Sequence, residues 1–260
     1  MSDVNPSIFV FNKYRILLTG PENYSMAHCF ICNQAVAAWI PHQSISQRSE
    51  FSIMMRAVGS DLRVYQCPSC GCNDRDRHVW LYMNATGVVN EIPNLRILHI
   101  APEPHLELLI QQLTPAAYIA GDLYPKKPDH QQLDVQALPF DDESFDLVIC
   151  NHVLEHVSTP IQALTEFHRC LGPNGILIAQ TPYSPFLKNT FEVNETVSPA
   201  FARLFFGQED HVRLFGSDIT AYFAQAGFKG ELLDHDLILK GVDAEAFGVN
   251  QQEPFFVFTK

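Results

Sequence analysis

From residue 96 to residue 259, short apolar runs of strand length alternate with stretches whose apolar residues recur at helical spacing. No other feature constrains the chain as much, because this is the pattern of a parallel sheet with helices on both faces. The strand candidates are Arg96–Ala101, Ala117–Asp122, Gln131–Asp134, Asp146–Asn151, Ile176–Thr181, Leu233–Leu239 and Phe255–Thr259. His105–Leu113 and Ile161–Leu171 read as helices, the second with Ile161, Leu164, Phe167, His168 and Leu171 on one face. Gly172-Pro173-Asn174-Gly175 stops that helix, and Ser217 caps another that runs to Ala226 before Gly227. Residues 182–216 read as a long insertion. Ahead of the alternation the elements are short, with no strong helical period before His78–Met83. The chain therefore divides into a small module, 1–90, and a larger domain, 91–260.

The small module holds two cysteine pairs, Cys29-Phe30-Ile31-Cys32 and Cys67-Pro68-Ser69-Cys70, separated by 34 residues. A two-residue gap lets both thiolates of a pair reach one ion, and two pairs complete a tetrahedron. This spacing predicts a structural zinc ion on Cys29, Cys32, Cys67 and Cys70, with Cys72 as a substitute ligand. Four thiolates leave no open position for water, so the expected role is to fold the module, not to catalyse. The Met1–Pro6 stretch has no basic patch leading into an apolar run, and no segment is long and apolar enough to span a bilayer. Seven cysteines in such a chain suggest metal ligands or free thiols, and a cytoplasmic location.

Charge separates the two parts. Residues 1–90 carry 7 basic and 6 acidic side chains, whereas residues 91–260 carry 10 and 23. A nucleic-acid groove works by replacing counterions with Lys and Arg, so the acidic larger part disfavours a nucleic-acid partner. Arg56, Arg63, Arg75 and Arg77 leave an RNA-binding role open for the module.

In an open parallel sheet, ligands bind beyond the carboxyl ends of the strands, where strand order reverses. Glu103, Asp122 and Asp134 follow the first three strands in turn. A carboxylate after the second strand suits ribose hydroxyls, and one a strand further suits an exocyclic amine.

Two stretches, Leu133–His156 (LDVQALPFDDESFDLVICNHVLEH) and Glu166–Ile176 (EFHRCLGPNGI), resemble the class I S-adenosylmethionine-dependent methyltransferases. The resemblance covers most of residues 96–259. It implies a Rossmann-like seven-stranded sheet and S-adenosyl-L-methionine as cofactor. Carried over residue by residue, it places Ala101 and Glu103 at the turn after strand one, and Asp122 on the ribose with Leu123 beside it. It also puts Asp134 on the adenine amine, Val135 against the adenine ring and Asn151 near the methionine moiety. One departure is clear. The family has a glycine-rich turn where this chain reads Ala101-Pro102-Glu103-Pro104. The chain is similar in this to a bacterial subgroup that pairs a cysteine module with an Ala-Pro-Glu turn and a later Gly-Gln-x-Asp-His-Val-Arg segment, here 207–213.

Methyl transfer to a hydroxyl or amine needs alignment and a group to take the proton, a task suited to histidine. Two groups compete for it. His152 and His156 follow strand four and would share a face of a helical turn. Asp210, His211 and Arg213 lie late in the insertion, where Arg213 offers a fork for an anionic acceptor. The catalytic candidates are His211, His156 and Asp210, and the acceptor-binding candidates are Arg213, His152 and Tyr183. The expected reaction is methyl transfer to oxygen or nitrogen of a small-molecule or glycan-precursor acceptor. An RNA methyltransferase and a non-catalytic protein retaining the fold are the alternatives.

Overall fold

The computed structural model describes residues 27–193 and 195–260; the Met1–Pro6 stretch lies outside them. In chain order the elements are as follows. The front module contributes hairpin strands β1 (Ala27–Cys29) and β2 (Gln34–Val36), helix α1 (Glu50–Met54) and helix α2 (Asp74–Ala85). A short α3 (Val88–Glu91) leads to β3 (Arg96–Ile100), α4 (Pro104–Gln112), β4 (Ala117–Asp122), β5 (Gln131–Gln132), β6 (Phe145–Cys150) and α5 (Pro160–Cys170). Then come β7 (Leu171–Ile178), β8 (Phe191–Glu192), α6 (Pro199–Phe206), β9 (Arg213–Leu214) and α7 (Ile219–Gln225). The chain closes with β10 (Lys229–Leu233), α8 (His235–Ile238), α9 (Ala244–Phe247) and β11 (Phe255–Thr259).

Seven strands form one sheet in the order β10-β11-β7-β6-β3-β4-β5, parallel except where β11 pairs antiparallel with both β7 and β10. The chain winds outward from β3 through β4 to β5, then returns to lay β6 on the other side of β3. The strand order therefore reverses between β3 and β6, which is where a doubly wound sheet opens a ligand crevice. Successive residues of each strand feed opposite faces. Leu98, Ile100, Val148, Phe256 and Phe258 pack with Leu164 and Phe167 of α5 and Phe223 of α7. Ile97, Leu147, Ile149, Phe255 and Val257 pack with Val79–Met83 of α2 and Leu106 and Ile110 of α4. Strands buried on both sides are why the sequence shows near-continuous apolar runs and not alternation. Among the described residues, no helix is long and apolar enough to cross a membrane.

Three local outcomes differ from the sequence reading. Residues 233–239 are not a strand: β10 stops at Leu233, opposite the first residue of its partner β11, Phe255, and the next residues turn into α8. Beyond that point Pro254 precedes the strand and has no N–H to continue the ladder. Gly172–Gly175 does not separate α5 from a strand. It is a bulge inside β7, whose register with β6 shifts between Phe145↔Leu171 and Leu147↔Ile176. Helix α2 starts earlier than its apolar period, at Asp74. There the Asn73 side chain accepts from Asp76 N at 2.8 Å while the Asp76 carboxylate accepts from Asn73 N at 3.2 Å.

Helix α2 ends before the division drawn at residue 90, yet it packs across it. Its apolar face belongs to the core of the sheet, while its first turn abuts the cysteines. Arg77 is fully buried on it, against Trp39 with the guanidinium carbon 4.1 Å from the ring centroid. Its nitrogens donate to the carbonyls of Cys72 at 2.9 Å and Gly248 at 2.6 Å, so it joins the front module to the end of the chain. Arg63 is taken up by Asp61, and Arg56 lies over Phe186. The four arginines considered for phosphate contacts thus do not form one surface.

Candidate active site and thiol cluster

The ladder aligns the carboxyl ends of the central strands. Ile100 stands level with Gly121 of β4 and with Cys150 of β6, and Asp122 pairs with Gln132 of β5. Ala101, Asp122 and Asn151 therefore fall in one row, with Leu133 tied to it by a hydrogen bond from its N–H to Asp122 O at 2.9 Å. Asp134, Val135 and Leu123 follow directly. Asp122 and Asp134 each accept from the backbone N–H two residues on, at 2.9 Å, which fixes their carboxylates at the strand ends. Val135 is buried, and Asp134 and Leu123 are exposed. Ala101 has φ 48°, a left-handed conformation that costs a non-glycine residue about 1 kcal/mol or more. The glycine-free turn thus keeps the backbone shape that glycine usually provides.

Glu103 is the centre of a chain of hydrogen bonds across the sheet. His99 is fully buried, with Nδ1 2.8 Å from Tyr118 Oη and Nε2 2.9 Å from Glu103 Oε2. Asn151 Nδ2 donates to Glu103 Oε1 at 3.1 Å, and Gln180 N donates to Asn151 Oδ1 at 3.0 Å. Burial works to raise the Glu103 pKa, but the His99 and Asn151 contacts outweigh it and hold the group below the ordinary glutamate range. The crevice therefore presents an ionised carboxylate at the turn and two more beyond the next strands. That set of acceptors fits a ligand with an ammonium at one end and a nucleoside at the other.

A second space opens beside this row. It is a cleft of about 720 Å³ whose walls include Arg75 of α2, His152 and Glu155 after β6, and Asp210 and His211 of the insertion. The insertion is laid against the β6 end by Val212 N, which donates to Glu155 O at 3.0 Å. His152 and His156 do not share a helical face, because the segment after β6 is a series of turns begun by His152 at φ 55°. Instead, His156 meets the insertion. Its Nδ1 lies 3.1 Å from Asp210 O and 3.4 Å from Asp210 Oδ2, and its ring stands edge-on to His211 at 4.7 Å. His211 Nδ1 lies 2.8 Å from Phe206 O, and its Nε2 lies 4.0 Å from Glu155 Oε1.

Glu155 was not among the candidates, yet it is the hub. It is 1% exposed, 3.6 Å from His152 Nδ1, and pushed up to about 8 by burial. Burial also pulls His211 down to about 4 and His152 well below the ordinary histidine value. Six buried side-chain atoms among the described residues have no hydrogen-bond partner, and three of them meet here: His152 Nε2, Glu155 Oε2 and His211 Nε2. Arg75 carries a signal beyond phosphate contacts: it is a positive charge on the first turn of a helix, where the dipole disfavours it.

Arg213 and Tyr183, both expected at the acceptor, are engaged by the protein itself. Arg213 is buried and its fork is taken: Nε donates to Glu192 at 2.9 Å, Nη1 to Leu154 O at 3.1 Å and to Val157 O, and Nη2 to Ser158 O at 3.1 Å. It braces the turn that carries Glu155. Tyr183 exchanges backbone hydrogen bonds with Val58 at 2.7 and 3.2 Å and packs edge-on to Phe256 at 5.6 Å, so it joins the front module to the core.

The thiols gather as the spacing predicts, with one change of membership. The sulfurs of Cys29, Cys67, Cys70 and Cys72 all lie within 4.8 Å of one another, and Cys32 lies 3.9 Å from Cys67. Cys29 is 3.5 Å from Cys72 and 3.9 Å from Cys70. A tetrahedral Zn–S₄ unit with bonds of about 2.3 Å has an edge of about 3.8 Å, so the packing fits the ion. Cys150 and Cys170 are buried in the sheet core and stand apart from this group.

Comparison with known proteins agrees with the fold. Residues 110–179 match a family model described as a methyltransferase domain. The demethylmenaquinone methyltransferase of Lactobacillus johnsonii is 33% identical over 121 residues, 45% of this chain and 49% of that protein. That of Staphylococcus carnosus is 30% identical over 135 residues, 47% of this chain and 55% of that protein. The chain thus spans about half the length of the curated relatives it matches. A solved S-adenosylmethionine-dependent methyltransferase from Mesorhizobium loti is similar over 67% of this chain and 95% of that one, at 14% identity and a TM-score of 0.47. Residues 110–179 thus match a methyltransferase domain, set within the seven-stranded sheet behind a cysteine-rich front module.

Proposed function

We propose that the chain is an S-adenosylmethionine-dependent methyltransferase acting on oxygen or nitrogen of a small anionic acceptor, of the small-molecule or glycan-precursor kind. The observation that carries this reading is the cleft at the end of β6, where Arg75 faces His152, Glu155 and His211 beside the cofactor row. Glu103 would hold the cofactor's ammonium, Asp122 its ribose and Asp134 its adenine amine, with Ala101, Leu123, Val135 and Asn151 lining the crevice. When bound, the cofactor supplies a methyl group on a sulfonium, which leaves without help from an acid.

The chain's own residues do the rest. Arg75 replaces Arg213 as the fork for the acceptor's negative charge. The acceptor's proton leaves to the histidine cluster. His211 lines the cleft with Nδ1 against a carbonyl, and His156 stands edge-on to it, oriented by the Asp210 backbone. Four thiols, Cys29, Cys67, Cys70 and Cys72, hold a structural zinc ion that supports the wall bearing Arg75. The curated relatives are named for action on demethylmenaquinone, which agrees with a small acceptor.

The test has two readings. Calorimetry with S-adenosylmethionine should give saturable binding that Asp134→Ala weakens. Methyl-labelled cofactor incubated with a metabolite extract should then label a small anionic product, and Arg75→Gln should abolish labelling while leaving cofactor binding intact. No binding at millimolar cofactor, or equal labelling by Arg75→Gln, would defeat the proposal.

A further inference from the structure

We infer that Glu155, His156 and His211 form a site for a divalent transition-metal ion, distinct from the thiol cluster and opening into the acceptor cleft. One ligand atom from each lies within 4.8 Å of the other two, close enough to converge on an ion at about 2.1 Å after small rotations. Two histidines and one carboxylate on one side of an ion, with the remaining positions open, is a donor set suited to manganese, iron, cobalt or zinc.

Two further observations point to an ion. Glu155 Oε2 and His211 Nε2 are buried without partners, in side chains only 1% and 4% exposed. Unpaired polar atoms at that depth carry a desolvation penalty that ligation would remove. The second observation is the tautomer. His211 Nδ1 is held by Phe206 O at 2.8 Å, and His156 Nδ1 by Asp210 O at 3.1 Å with the Asp210 carboxylate at 3.4 Å. A carbonyl accepts but cannot donate, so both Nδ1 atoms carry the proton and both Nε2 atoms present a lone pair. This is the outer support that metal-ligating histidines receive. Another group of suitable residues, Glu107, Asp129 and His130, already has Lys127 Nζ at 2.5 Å from Glu107. A cation occupies that position, so it is the weaker site.

The inference shares the cleft with the proposed methyl transfer. With the ion bound, His211 holds metal and not a proton, and an anionic acceptor bridges the open coordination positions and Arg75. His152, whose Nε2 is also unpartnered, is then the group left to take a proton.

Manganese is the probe, because thiolates select softer ions and leave it to nitrogen and oxygen ligands. The full chain, with its thiol cluster loaded with zinc, is titrated with Mn²⁺ while electron paramagnetic resonance reads the free hydrated ion. One equivalent should bind. Glu155→Gln and His211→Gln should each weaken it by about tenfold or more, and His130→Gln should not change it. A free-ion signal that rises in proportion from the first addition to the wild type would overturn the inference. So would loss of binding in His130→Gln with retention in Glu155→Gln. Calorimetry with S-adenosylmethionine on the same sample separates the two ideas. Cofactor binding without manganese binding defeats the metal site alone, and the reverse defeats methyl transfer alone.

Discussion

Cys29 and Cys72 stand 3.5 Å apart, a shorter separation than Cys29 keeps from Cys70 or Cys32 from Cys67, both 3.9 Å. Cys72 belongs to no Cys-x-x-Cys pair, yet it sits in the group of four mutually close sulfurs, and its thiol helps to hold Cys29 well below the ordinary cysteine value. Cys72→Ser should therefore lower zinc content and thermal midpoint more than Cys32→Ser does. Elemental analysis beside a melting curve checks this. The reverse ranking would return the ion to the two paired knuckles.

Cofactor binding should depend on the strand-end carboxylates more than on the lining residues. Asp122→Ala and Asp134→Ala each remove a charged acceptor, worth about 1.5–3 kcal/mol, and should weaken S-adenosylmethionine roughly ten- to hundredfold. Leu123→Ala, at a side chain 47% exposed, should change affinity by less than about threefold. Titration calorimetry reads both.

Arg213 makes a stability prediction where an acceptor contact was expected. Its guanidinium serves Glu192 and three backbone carbonyls from a position 4% exposed. Arg213→Ala leaves those carbonyls unpaired and should cost about 3 kcal/mol in a denaturant titration. Arg213→Lys should recover little, since a single ammonium cannot reproduce a planar fork across three carbonyls. Full stability with lost turnover would instead make Arg213 an acceptor ligand.

Asp146 carries a pH signature away from both candidate metal sites. Arg96 donates to it through its backbone N at 2.9 Å, Nε at 2.9 Å and Nη2 at 2.7 Å, and these bonds hold its carboxyl below the ordinary value of 3.8. The folded state thus binds this proton less readily than the unfolded state. The stability it contributes is present above 3.8 and is lost as pH falls through the lower folded value. Solvent screens the pair, so Asp146→Asn should cost about 1 kcal/mol or less at neutral pH. The difference from wild type should close as pH falls below 3.8. A difference that persists unchanged in strong acid would assign the effect to packing.

The parts legible in the sequence are those set by local pattern. Ala117–Asp122 and Phe255–Thr259 form as expected because apolar runs of that length have few other ways to be buried. Asp122, Asp134 and Asn151 reach the strand ends because register follows from those runs. Residues 233–239 depart from their apolar pattern because a strand ends where its partner ends, and β11 is 22 residues away at Phe255. Spacing rules count pairs of cysteines, so they undervalue Cys72, which arrives through the turn before α2. Glu155 lay unremarked between two histidines, since nothing local says a carboxylate will be buried. Arg213 and His211 are neighbours but one, and only tertiary structure sends the first to brace a turn and the second to face the cleft.

Helix α2 begins two residues after Cys72 and ends within the apolar layer under the sheet, with Arg75 on its opening turn and Leu81, Tyr82 and Met83 in the core. One rod is thus anchored at both ends, and whatever shifts the sulfurs is felt at the cleft within a single turn. The front module is therefore not a detachable cartridge. A different module grafted there would have to reproduce the angle of this helix, or reshape the acceptor wall and the apolar layer under the sheet together.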